Sequence, residues 1–207
     1  MELAECLATG LDELGLCSTP AAHGKLLQYV RLLEKWNRVY NLTAVRDARA
    51  MVTRHILDSA AIVPWVMGPR VLDVGTGAGL PGIPLALLLP ATRFVLLDSR
   101  AKKSRFVRQV VAELELANVE VVCERAEKFQ PAHKFDTLAT RALAPITDIL
   151  ATSGHLCAAA GHILIMKGTY PREELTDIPD DYALADIKRL HVPGLAAERH
   201  LVIIERR

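Results

Sequence analysis

The sequence predicts an α/β fold in which a doubly wound sheet of seven strands follows a helical extension. Three observations predict it. The first sixty-odd residues carry apolar positions at helical spacing and no strand signal. From Arg70 onward, short β-branched runs alternate with helical segments, the pattern of right-handed βαβ units. After the first such run comes a turn with four glycines in eight residues, Gly75, Gly77, Gly79 and Gly82.

The elements follow in order. Thr19-Pro20 offers an N-cap and a proline at the first helical position. Leu26, Leu27, Val30, Leu33 and Trp36 then recur along one helix that ends near Tyr40-Asn41. A second helix starts at Asp47, carries Met51, Ile56 and Ile62, and stops at Pro64. The expected strands are 70–74, 93–98, 118–123, 135–140, 161–167, 183–190 and 199–206. Continuous apolar runs such as Val95-Leu96-Leu97 suit strands covered on both faces. Pro171 to Asp186 holds six acids and two prolines and reads as an exposed excursion. The division is therefore 1–66, the helical N-terminal extension, and 67–207, a Rossmann-like domain.

Composition narrows the function classes. The chain has 207 residues, a length that suits one domain with an appendage. Lys plus Arg is 25 and Asp plus Glu is 24, so any nucleic-acid contact must rest on local patches. No stretch reaches the ~18 apolar residues of a membrane span. The start, Met1-Glu2-Leu3-Ala4-Glu5, is acidic and lacks the basic region of a signal peptide. Cys6, Cys17, Cys123 and Cys157 form no CxxC pair and have no histidine at zinc-site spacing. Free thiols in a reducing cytosol, and no metal, are expected.

The strongest chemical signal is Asp73-Val-Gly75-Thr-Gly77-Ala-Gly79-Leu80-Pro81-Gly82, a strand running into a glycine turn and then a helix. Side-chain-free positions let a ligand lie against the backbone and let the turn adopt positive φ. The ligand is open at this stage. Gly77-Ala-Gly79-Leu-Pro-Gly82 matches the dinucleotide pattern, and Asp98 falls 19 residues after Gly79, where an acid binds ribose hydroxyls. An NAD-dependent oxidoreductase is thus one reading. Asp73, two residues before the first glycine, instead suits a cationic amino-acid moiety, as in S-adenosylmethionine.

Other candidates follow from strand ends. Ala126 and Glu127, after the third strand, are placed to read an adenine, or they form a solvated loop. Arg141 and Lys167, at the ends of the fourth and fifth strands, face the same crevice or are surface charges. Arg100, Lys102, Lys103, Arg105 and Arg108 put five cations in nine residues without an acid, for phosphate contact or as a solvated helix face. His55 and Asp58 stand at i, i+3 on one helix, as a surface pair or as polar groups closing over the crevice.

The runs LLEKWNRVYNLTAVRD (32–47), RHILDS (54–59), DVGTGAGLPGIPLA (73–86), LLDSRAKK (96–103), TRALAP (140–145), MKG (166–168) and ERHLVII (198–204) are spread over nearly the whole chain. Together they closely resemble the bacterial ribosomal-RNA small-subunit methyltransferase G family, also called the glucose-inhibited division protein B family. The resemblance implies a class I S-adenosylmethionine-dependent methyltransferase fold with a seven-stranded sheet. It implies methyl transfer to guanine N7 at position 527 of 16S rRNA, presented as RNA or as the small ribosomal subunit. It places the cofactor against Gly75, Leu80, Ala126, Glu127 and Arg141, beside Gly77 and Asp98 from the reading of the turn. N7 carries a free in-plane lone pair, so no general base is expected, and Lys167 is the candidate for positioning the guanine. Lys102, Lys103, Arg105 and Arg108 are the expected RNA contacts. A cytoplasmic monomer is expected. A non-catalytic RNA-binding assembly factor that keeps the fold is the remaining alternative.

Overall fold

The computed structural model describes residues 2–141 and 144–207. Ala142 and Leu143, inside the TRALAP run, lie outside the described residues. The extension opens with α1 (Leu3–Glu13) and α2 (Pro20–Tyr40). As expected, the Thr19 hydroxyl caps α2 by accepting the Ala22 N–H. Asn41 ends it in the left-handed conformation, φ 49°. Asp47 caps α3 (Ala48–Met51) in the same way.

The single helix expected from Asp47 to Pro64 is not regular. It runs as α3, a π-helical segment (Val52–Leu57) and α4 (Asp58–Ala60), then a 3₁₀ turn at Val63–Trp65. The apolar spacing of a short helix does not register one wide turn, so the sequence gives no sign of it. Such π segments recur at functional sites.

Seven strands follow: β1 (Arg70–Val74), β2 (Arg93–Leu97), β3 (Val119–Val122), β4 (Phe135–Thr140), β5 (Cys157–Lys167), β6 (Tyr182–Arg189) and β7 (His200–Arg206). Their order is β3-β2-β1-β4-β5-β7-β6. The first five are parallel; β7 is antiparallel to both β5 and β6. Helices α5 (Gly82–Leu88), α6 (Ala101–Glu113) and α7 (Ile146–Ser153) connect the parallel strands. Strand β6 takes up the end of the acidic stretch 171–186, and the rest of that stretch is not all surface: Pro171 is buried.

Alternation along the strands sends side chains to two cores. Val71, Phe94, Leu96, Ala139 and Leu164 face one layer, which also holds Leu26, Tyr29, Met51 and Ile56. Leu72, Leu97, Leu138, Ile163 and Ile165 face the other, with Ile146 and Leu150 of α7. The helical extension therefore shares one core with the sheet. Asp73 has the parity of Val71, which turns its carboxylate toward α5 and the extension.

Tyr29 is the point of closest coupling. Its hydroxyl, fully buried, donates to the Ala78 carbonyl in the glycine turn at 2.7 Å. Tyr29→Phe leaves that carbonyl buried without a donor and is expected to lower unfolding free energy by ~1–3 kcal/mol, measured by denaturant titration.

Candidate functional site

The carboxyl ends of β1, β2, β4 and β5 form one edge of the sheet, and the glycine turn crosses it. The amides of Gly75 and Thr76 donate to the Leu97 carbonyl, and Gly77 N–H donates to Asp98 Oδ2 at 2.9 Å. Gly75, Gly77 and Gly79 have φ of 69°, 61° and 94°, where a side chain is strained. A Cβ at Gly75 would meet nothing within 4 Å, so this part of the turn faces open space.

Asp73 lies under the turn, fully buried. Its Oδ2 accepts the Thr76 hydroxyl at 2.6 Å and Gly82 N–H at 2.8 Å. Its Oδ1 is buried with no protein partner among the described residues. Burial pushes the Asp73 pKa up to about 7, against the opposing pull of those two hydrogen bonds and of Arg141. A buried carboxylate with one orphaned oxygen has the chemistry to accept from a donor that the chain itself does not supply.

Asp98 is buried beside the turn. Its two oxygens accept from Gly77 N–H and Arg100 N–H, each keeping lone-pair capacity for hydroxyls. Leu80 is buried below the turn. Ala126 and Glu127 begin a 3₁₀ turn after β3, Ala126 half-buried and Glu127 exposed.

At the other side of the edge stands a cluster built around Asp58. Arg141 Nη1 lies 3.3 Å from Asp58 Oδ2 and donates to the Arg54 carbonyl at 3.1 Å. Arg199 Nε donates to Asp58 Oδ1 at 2.8 Å. His55, also against Arg141, bonds Thr43 through Nε2 at 2.8 Å and the Arg54 carbonyl through Nδ1. Burial and the adjacent Arg141 bring the His55 pKa down to about 4, so the ring is neutral near pH 7. His55 and Asp58 are thus interior side chains facing Arg141 and not a solvated surface pair. Arg199 is a member of this cluster that the sequence reading missed. The one available signal was Asp58 itself, an acid within an apolar helix segment that demanded cationic partners.

The structure gives the partners of two of the expected cations. Lys167 does not present a free ammonium. Its Nζ donates to the Ala144 carbonyl at 2.8 Å and to both Glu174 oxygens at 3.0 and 2.8 Å, and Glu174 also accepts Ile146 N–H at the start of α7. The acidic stretch supplies this carboxylate from seven residues downstream, a closure that charge counting along the chain does not show. Lys103 does not share the exposed row of Lys102, Arg105 and Arg108. In the first turn of α6 it points to the glycine turn, its Nζ 3.5 Å from the Cβ position of Gly77. Lys102 lies over the Tyr40 ring at 5.0 Å, joining α6 to the end of α2.

A surface hollow of about 790 Å³ lies at the opposite, amino edge of the sheet, between Lys25, Arg70, Arg93 and Asn118. It contains none of the expected site residues. No helix among the described residues is long and apolar enough to cross a membrane.

Comparison with known proteins shows the family and the fold. A family described as rRNA small subunit methyltransferase G matches residues 22–202. The ribosomal RNA small subunit methyltransferase G of Laribacter hongkongensis is 49% identical over 202 residues, covering 98% of each chain. Among solved structures, TrmN from Thermus thermophilus superposes with a TM-score of 0.59 at 18% identity, over 83% of this chain and 53% of that one. TrmK from M. capricolum, in complex with S-adenosyl-homocysteine, gives 0.58 at 13% identity, over 72% of this chain and 67% of that one. These two likenesses establish the fold. With a family match over most of its length and a relative nearly half identical from end to end, the chain belongs to the rRNA small subunit methyltransferase G family.

Proposed function

We propose that this chain transfers a methyl group from S-adenosylmethionine to N7 of guanine 527 in 16S rRNA. One observation carries the choice of cofactor: the orphaned, buried Oδ1 of Asp73 under an open glycine turn. That oxygen is complementary to an ammonium. A pyrophosphate at the same place would oppose a buried carboxylate, which argues against hydride transfer from a dinucleotide.

S-adenosylmethionine supplies an electrophilic methyl group on a sulfonium. The chain's own residues bind and orient. Gly75, Gly77 and Leu80 form the floor, Asp73 takes the ammonium and Asp98 the ribose hydroxyls. Ala126 and Glu127 read the adenine edge, and Arg141 closes the site from β4. N7 needs no proton removed, so no residue serves as a base, and the neutral His55 is held by Thr43 and Arg54 instead. The remaining requirement is alignment of acceptor and donor at near-attack distance. Lys167, held here by Glu174 and the Ala144 carbonyl, is the candidate donor to guanine O6. An unstacked guanine in a loop enters at lower cost than one in a duplex.

Lys102, Arg105 and Arg108 contact the RNA backbone on the exposed face of α6. Replacing all three by alanine is expected to raise KM for small subunits with kcat little changed. It should also flatten the salt dependence of binding by about 0.7 per lost phosphate contact, read from affinity against salt concentration.

The reading is tested on small subunits from a strain lacking this protein. After incubation with the protein and S-adenosylmethionine, nuclease fragments of the rRNA are sequenced by mass spectrometry. A 7-methylguanosine at position 527 is expected. A methyl group on another atom, or at another guanine, overturns the assignment.

A further inference from the structure

We infer that Asp58 is a positioning residue that holds Arg141 and Arg199 as one cationic unit, and so makes the helical extension part of the active site. This rests on the methyl-transfer reading above. Asp58 follows the π segment, and its side chain is 1% exposed. Its two oxygens are divided between guanidiniums that arrive from opposite directions. Arg141 follows β4, and Arg199 directly precedes β7. The register sets their places: His200 pairs with Lys167, so Arg199 emerges beside the end of β5, next to the end of β4. Without Asp58, two like charges would meet at this edge with no counter-ion between them.

Neither guanidinium is used up. All contacts of Arg141 run through Nη1, and those of Arg199 through Nε and Nη1. Among the described residues, Nη2 of each side chain has no protein acceptor, and the two side chains are 27% and 24% exposed. One carboxylate thus fixes two planar forks and leaves an outward pair of donors with net positive charge. That arrangement suits oxygen acceptors, on the cofactor for Arg141 and on the RNA nucleotide for Arg199. Thr140, next to Arg141, donates to the Val74 carbonyl at 2.9 Å, so the cluster and the glycine turn start from adjacent strand ends.

Asp58→Asn keeps the shape of the buried site but removes the charge and turns one of the two acceptors into an amide donor facing a guanidinium. We expect kcat/KM for small subunits to fall about 100-fold and S-adenosyl-homocysteine affinity, by calorimetry, to fall about tenfold. Because Asp58 acts through the arginines, its effect must shrink when one of them is absent. In an Arg199→Gln background, Asp58→Asn should cost less than about threefold in kcat/KM. Full additivity in this cycle overturns the inference, as does unchanged cofactor affinity in Asp58→Asn. If Asp58→Asn does not fold, the cycle is run between Arg141→Gln and Arg199→Gln. Strong coupling is then expected, and additivity overturns the inference. Loss of wild-type methyl transfer to subunits would sink the RNA reading alone, because the calorimetric arm reports on Asp58 without RNA.

Discussion

Asp73→Asn is expected to weaken S-adenosylmethionine binding about 100-fold at pH 7.5, with the glycine turn still folded. The amide oxygen can still accept from Gly82 N–H and Thr76, the two contacts that hold the turn over α5. What disappears is the charge facing the orphaned position. The same group sets a pH dependence. In the free protein the Asp73 pKa is raised to about 7 by burial, from an ordinary value of 3.8. Between those values the folded state binds more protons than the unfolded chain. Stability from this group is therefore full below pH 3.8 and is lost as pH rises through about 7. A ligand ammonium favours the charged form, so cofactor affinity runs the opposite way, rising from pH 5.5 toward 7.5 with proton release at the acid end. In Asp73→Asn that rise should vanish. Calorimetry across this range, in buffers of different ionisation enthalpy, reads both effects.

Gly82→Val should be more damaging to the fold than any other change in the turn. A Cβ at this position would overlap Leu96 Cδ2 and stand 2.7 Å from Asp73 Oδ2. Leu96 is fully buried in the core beneath α5 and has little space to yield. The helix start must move away, which stretches the Gly82 N–H bond to Asp73. Overpacking of this kind typically costs about 1–3 kcal/mol, and the broken hydrogen bond to a buried acceptor adds about 1–3 more. Thermal and denaturant unfolding should show the loss, and cofactor binding should be undetectable even where the protein remains folded. Gly82→Ala is the milder case with the same direction. A valine variant as stable as the parent would mean that the β1–α5 turn is not the rigid floor described above.

Much of the site was legible because its signal is local. The glycine turn, Asp98 and the 126–127 turn each follow a strand whose apolar run is unmistakable, and strand ends in a doubly wound sheet point to one edge. The exposed row on α6 was equally legible, because period and charge coincide there. What escaped depends on contacts distant in sequence or on backbone detail. Arg199 reaches Asp58 across 141 residues, and nothing in ERHLVII marks it as a partner of RHILDS. Lys167 was read as facing the crevice or as a surface charge, because its counter-ion sits within an acidic stretch that looked uniformly exposed. Lys103 was grouped with its neighbours by charge, although one residue's rotation on a helix turns it to the glycine turn. The π segment leaves apolar spacing almost untouched and was invisible for that reason. The antiparallel return of β7 was likewise unstated, because strand patterns carry no direction.

The most direct measurement is methyl transfer from labelled S-adenosylmethionine to small subunits lacking the modification, with wild type and Asp73→Asn in parallel and the labelled nucleoside identified. Label in 7-methylguanosine from wild type, and little from Asp73→Asn at cofactor concentrations saturating the parent, is the predicted result. Binding of the cofactor by wild type without label in 7-methylguanosine, or an Asp73→Asn variant as active as its parent at low cofactor, would contradict the account.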